Sequence, residues 1–271
     1  MKKSIRTLVL MALGLALFST LGCNTLRARD QLNKGVTSYK STHYEEAIEH
    51  FQTAAKLDPG LINARLYLAT AYAQLYVAGV DTPENNRMAE QAIDAYKQVL
   101  ERDKKNINSN KGIAYLYLNM HRFEDAKTFY RSALAIDPND PEPYYSVAVI
   151  DWTQTYQPRM EERSKLGLKP EEPLKDKKVC AMLREKNTDL IKDGIGMLEK
   201  ALQLRPDYDD AMAYMNLLYR ERADVQCDDP AARAADLKTA DQWVDKTMAT
   251  KKAKAEKQPG AQGITLDQPS Q

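Results

Sequence analysis

Histidine, cysteine and uncompensated charge are all scarce in this chain, and each scarcity removes a class of chemistry. The three histidines stand at 43, 50 and 121, and the three cysteines at 23, 180 and 227, of 271 residues. No histidine lies near the later two cysteines in sequence, so the ligand spacing of a zinc site is missing. HExxH, GxSxG and glycine-rich phosphate loops are absent too, which leaves no motif with a catalytic mechanism behind it. We therefore expect no metal, no cofactor, no small-molecule substrate and no enzyme activity. Thirty-nine basic residues against thirty-eight acidic ones give a net charge of +1, and loss of Lys2, Lys3 and Arg6 with a leader would leave −2. That balance makes no electrostatic case for nucleic acid. What remains, 43% hydrophobic and 28% charged residues, is the composition of ordinary soluble protein.

Against these absences stands one well-ordered stretch, Ile107 to Asp140. Counted from Ile107, it carries Ile113 and Ala114, then Tyr117, then Ala126, Tyr130 and Ala133, and closes on Pro138. These offsets resemble the tetratricopeptide repeat, a 34-residue helix–turn–helix with a large-small pair and Tyr in helix A, Ala-x-x-x-aromatic in helix B, and a closing Pro. The small residues sit where the two helices cross closely, and the tyrosines fill the space beside them. One such pair cannot bury its own apolar face, so copies should stack on either side. The fold class the resemblance implies is an all-α, right-handed α-solenoid of about five helix–turn–helix repeats, with elongated A–B turns in repeats 2, 4 and 5.

The neighbouring segments repeat the pattern with departures. Repeat 1 opens near Ala28, with Gly35 at the small position of helix A and Ala47, Phe51, Ala54 and Pro59 following, although Ser38 replaces the usual Tyr. Repeat 2 has Leu68-Ala69 and Tyr72, but its Ala92 and Tyr96 come eleven residues late. The extra residues, around Val77 to Arg87, fall between the helices, and Thr82-Pro83 supplies an N-cap and a first-turn proline to restart helix B. Repeat 4 carries Tyr144, Val147 and Ala148, and its closing half arrives 34 residues late. A degenerate extra repeat would explain a delay of one period, but Met160 and Ser164 fall where Ala and an aromatic belong. The better reading is a protrusion interrupted at Pro158, Gly167, Pro170 and Pro173, with helix B running from Lys177 to Leu204. Repeat 5 begins at Asp209, and Asp229-Pro230 restarts its second helix.

The ends read differently. Lys2, Lys3 and Arg6 precede the uncharged apolar run Leu8 to Phe18, which is too short to span a bilayer comfortably and has the form of an export signal. Its end, Ser19-Thr20-Leu21-Gly22-Cys23, resembles the lipobox of bacterial lipoproteins, in which the cysteine becomes the acylated first residue. Thr20 stands where that family usually has Leu. The expected organisation is a signal peptide over 1–22, a lipidated tether over 23–27, a repeat domain over 28–253 and a disordered tail over 254–271, the last because it has little to bury. Lipidation at Cys23 implies a lipid-anchored protein of the bacterial cell envelope, at the periplasmic face of the outer membrane; Thr20-x-Gly22 also fits an ordinary small-x-small cleavage site, which would leave the protein periplasmic or secreted.

By resemblance, the partner-facing positions of helix A are Tyr39, Tyr67, Asn108, Lys111, Tyr115, Tyr145, Trp152, Tyr214 and Arg220. Aromatic rings with amide and cationic handles suit an extended peptide or an amphipathic helix of a partner protein. Lys111 and Asn108 hint at the carboxylate clamp of the family's chaperone-binding members, but neighbouring repeats do not complete it. Cys180 and Cys227 lie in or beside the A–B turns of consecutive repeats, so a disulfide between them is expected in an oxidising compartment. The implied function is a membrane-anchored scaffold or adaptor for protein partners. The alternative is an extracytoplasmic enzyme or enzyme accessory with a site built on the 154–190 insertion.

Overall fold

A computed structural model describes residues 23–169 and 172–257, and every regular element in them is an α-helix. Among the described residues, ten helices pair into five tetratricopeptide-like helix–turn–helix units, the all-α, α-solenoid class. The chain divides into two compact units, 1–136 and 137–271.

The first unit holds α1, over 23–40, α2 (Tyr44–Leu57), α3 (Ile62–Leu75), α4 (Pro83–Arg102), α5 (Ile107–Asn119) and α6 (Phe123–Ile136). The small positions inferred from the repeat are its tightest crossings. Ala47, Ala54, Ala69, Ala92, Ala114 and Ala126 are fully buried, with Phe51, Tyr72, Tyr96, Tyr117 and Tyr130 filling the space around them. The Phe51 ring lies where a side chain at Gly35 would be, and the Tyr96 ring does the same at Gly112. The short turns before α2 and α6 each place one residue in the left-handed region, Thr42 at φ 62° and His121 at φ 57°. The longer turn before α4 is held by one side chain. Asn85 accepts from Val77 N at 2.7 Å and donates to Val77 O and Val80 O at 2.8 and 2.6 Å. Thr82 Oγ1 caps α4 by accepting from Asn85 N, and Pro83 occupies the first turn, where its missing N–H costs nothing.

The second unit holds α7 (Pro141–Lys165), α8 (Lys177–Leu204), α9 (Asp209–Asp224) and α10 (Pro230–Lys257). Its core gathers Ala148, Leu183, Ile191, Leu198, Ala211, Met215 and Leu218, with Trp243 packed against it from α10. Gly194 of α8 faces Leu218 Cδ1 at 2.8 Å from where a Cβ would stand, so α8 and α9 approach closely there. Asp176 caps α8 through Lys178 N and Val179 N, and Asp229 Oδ1 accepts from Ala232 N at the start of α10.

Two expectations need correction. Pro158 does not interrupt the protrusion: α7 runs through it as a continuous 25-residue helix. A proline inside a helix costs about 3 kcal/mol, and here Arg159 directly after it and Arg163 one turn on make buried ion pairs with Glu221 and Asp224 that the continued helix positions. Second, α10 remains helical to Lys257, four residues past the boundary expected for the tail. The remaining tail, the segment 1–22 expected to be a signal peptide, and Pro170 lie outside the described residues.

Candidate protein-binding site

The inferred partner-facing residues fall into one set in each unit. In the first, Tyr67 and Tyr115 are 39% and 53% exposed. Tyr67 is supported from beneath by Phe51, with ring centroids 5.6 Å apart, so it is displayed but not loose. Asn108 is exposed and Lys111 half-buried on the same helix as Tyr115. Tyr39 is half-buried and meets Tyr44 edge-on at 5.3 Å; burial, then the neighbouring Tyr44, raises its hydroxyl pKa.

In the second unit the aromatic residues form a continuous ladder. Tyr208 and Tyr145 are 5.1 Å apart, Tyr145 and Tyr214 5.5 Å, Tyr214 and Trp152 5.4 Å, and Trp152 and Tyr156 4.8 Å. Most of these contacts are tilted or edge-on, the arrangement the ring quadrupoles favour. Burial pushes the Tyr145 hydroxyl well above its ordinary range, with Tyr214 adding to the effect, and lifts Tyr208 to about 12 despite Arg205. These tyrosines keep their protons at neutral pH and are hydrogen-bonding groups. The Trp152 indole N–H is buried without a hydrogen-bond partner. Arg220 is held by Asn216 at 2.8 Å and Asp241 at 2.7 Å.

Beside the ladder lies an ionic cluster that the repeat pattern does not mark. Arg159 reaches Glu221 and Asp224, both at 2.7 Å, and Arg163 reaches the same Asp224 oxygen at 2.9 Å. Arg163 also donates to the carbonyls of Lys169 and Glu172, which fastens the loop after α7. Burial drives the Glu221 carboxyl up to about 7, against the opposing pull of Arg159. The cluster borders a cavity of about 410 Å³ between α7, α9 and α10. Cys180 and Cys227 form a disulfide, with sulfurs 2.04 Å and Cα atoms 5.6 Å apart. It joins the first turn of α8 to the α9–α10 turn. Cys23 is exposed and unbridged.

Sequence reasoning did not place Tyr156, Arg159 or Arg233 at this cavity. The signal was weak: arginines four apart on α7 and acids three apart on α9 look like solvated faces until α7 is known to continue past Pro158. Among the described residues no group of three or more His, Cys, Asp or Glu side chains could hold a metal ion, and no helix is long and apolar enough to cross a membrane.

Comparisons with known proteins agree with this architecture. Two family models described as tetratricopeptide repeat match residues 28–61 and 86–150. Over those residues the chain carries tetratricopeptide repeats. It is similar in structure to MamA, with a TM-score of 0.57 at 13% identity over 86% of this chain and 96% of that one. MamA from Desulfovibrio magneticus RS-1 gives 0.57 at 14% identity over 84% and 96%, and a double mutant of MamA from RS-1 gives 0.58 at 14% over 85% and 97%. At these identities the likeness is one of fold. No curated protein matches the sequence. The helix-A surfaces of such stacked repeats suit protein or peptide partners.

Proposed function

We propose that this tetratricopeptide-repeat protein is a membrane-anchored adaptor of the bacterial cell envelope, holding partner proteins at the periplasmic face of the outer membrane and assisting assembly of an envelope or secretion complex. The observation that carries the binding half is the display of Tyr67 and Tyr115 at inferred partner-facing positions of successive helix-A segments, α3 and α5, 39% and 53% exposed. Both rings present area at little entropic cost, because each has only two side-chain torsions to fix. The anchoring half rests on the lipobox-like run ending at Cys23, whose exposed thiol is open to acylation. Acyl chains contribute about 0.8 kcal/mol per buried CH₂, so a multiply acylated cysteine holds the protein on the bilayer.

The enzyme alternative finds little support around 154–190. Arg159 and Arg163 are engaged in buried ion pairs, and Cys180 is in a disulfide.

Fractionation with crosslinking tests both halves. Native protein should sediment with membranes and yield a defined crosslinked partner. Cys23→Ala should move to the soluble fraction, and Tyr67→Ala/Tyr115→Ala should stay on the membrane but lose the partner while its circular dichroism is unchanged. Soluble native protein would defeat the anchor, and a partner retained by the tyrosine variant would defeat the surface.

A further inference from the structure

The longer turn between α3 and α4 shows apolar side chains to solvent from a fixed backbone. Val77 is 56% exposed and Val80 43%, yet the buried Asn85 amide bonds the Val77 N–H and both valine carbonyls. The valines are thus displayed at little ordering cost to a partner that takes them out of water. Beside them opens a cavity of about 350 Å³ between this turn, α4 and the end of α5. Tyr76 and Val80 supply its apolar surface, and Asp81, Glu90, Asn119 and His121 its polar groups. Among the described residues no lysine or arginine lines it. Asp81 accepts from the side-chain amide of Asn86 at 2.9 Å, a neutral partner that leaves the carboxylate its charge.

This cavity adjoins the displayed Tyr115. Asn119 stands one turn further along α5 and donates to the Tyr115 carbonyl at 2.8 Å, and residues four apart share a helix face. The Tyr76 hydroxyl pKa is raised by burial first, then by Tyr115 and Asp81, so Tyr76 has both the exposed ring and the carboxylate as neighbours. A segment crossing Tyr115 can therefore turn a side chain into the cavity. Two carboxylates with no lysine or arginine among the lining groups attract a cation. The apolar surface beside them suits the hydrocarbon stem of a basic side chain, whose charged head reaches past it. A metal ion fits less well, because among the described residues no three His, Cys, Asp or Glu groups converge. We propose that the cavity takes a Lys or Arg side chain of a partner protein, with apolar neighbours of that residue covering Val77 and Val80. This rests on the protein-binding reading above and names the partner's chemistry at the same surface. The site is built on the elongated turn of repeat 2, beyond the helix-A positions that mark the 34-residue pattern.

The probe is a displayed library of random twelve-residue peptides selected on the full-length chain, followed by fluorescence anisotropy of the enriched sequences. The enriched peptides should carry a basic residue beside apolar ones. Replacing that residue by Gln, or making Asp81→Asn/Glu90→Gln in the protein, should each weaken binding by about tenfold or more, the size of a lost charge-assisted contact. Glu90→Gln alone changes an exposed side chain of α4 and keeps the contact of Asp81 with Asn86, so its fold should survive, with circular dichroism and melting as the check. It should weaken binding about threefold. Glu90→Lys should weaken it further, and a peptide with Glu in place of its basic residue should then regain affinity. Enrichment without basic residues, or affinity indifferent to both Glu90→Gln and the double variant, overturns the proposal. If the enriched peptides instead lose binding only in Tyr67→Ala/Tyr115→Ala, the protein-binding reading stands and this one falls. If nothing is enriched over the bare matrix, both fall.

Discussion

A methyl group at Gly112 would lie 2.5 Å from the ring of Tyr96, which is 6% exposed and hydrogen-bonding distance from Thr70. The ring cannot swing away freely, so overpacking of about 1–3 kcal/mol outweighs the helix propensity of about 1 kcal/mol that alanine brings. Gly112→Ala should lower stability by about 1–2 kcal/mol in denaturant titration, whereas Gly196→Ala, with open space around it, should raise it by up to about 1 kcal/mol. The buried carboxyl of Glu221 makes a different statement. Its folded pKa is raised from 4.5 to about 7, so the folded state holds this proton more tightly than the unfolded one. That contribution is fully present below pH 4.5 and is lost as pH rises through about 7. Glu221→Gln should therefore flatten the fall in melting temperature between those values; an unchanged slope would mean that other groups set it. Residues such as Ala126 and Tyr130 were legible in the sequence because each is fixed by its offset within one repeat. Arg159 and Asp224, 65 residues apart, were not, because only tertiary folding sets them side by side.

Among the elements, α7 is the one whose sequence and conformation disagree. Thr82-Pro83 and Asp229-Pro230 announced the starts of α4 and α10 because capping is local chemistry, and the expected bounds Lys177 to Leu204 are those of α8. Pro158 misled because its penalty is local while its compensation is not. Arg163 is 1% exposed and tied to Asp224 and to two loop carbonyls, contacts that only a helix continuing past the proline can make. Pro158→Ala should therefore stabilise the chain, by up to about 3 kcal/mol, with little change in helical content. A drop in stability on that change would show that the proline is wanted where it stands. The disulfide acts on the same region from the other side. Closing a 47-residue span restricts the unfolded chain by about 4 kcal/mol in the loop-entropy picture, and it fastens α8 to the turn in which Cys227 takes a left-handed φ of 48°.

At the scale of the molecule, the repeat class was readable from one stretch of 34 residues because a repeat's core is the same few contacts copied along the chain. The inferred partner-facing residues were less uniform. Tyr67 and Tyr115 are displayed, while Tyr145, Trp152 and Tyr214 spend much of their surface on one another, a distinction no offset within a repeat can encode. The central claim is that partners are held on the helix-A surface, and site-specific photocrosslinking tests it most directly. A photoreactive residue replaces Tyr115 on α5 in one variant and exposed Thr128 on α6 in another, and both are activated in intact cells. The adaptor account predicts a discrete crosslinked species from position 115 and none from 128. A species from 128 alone, or none from 115 in correctly folded protein, would contradict it.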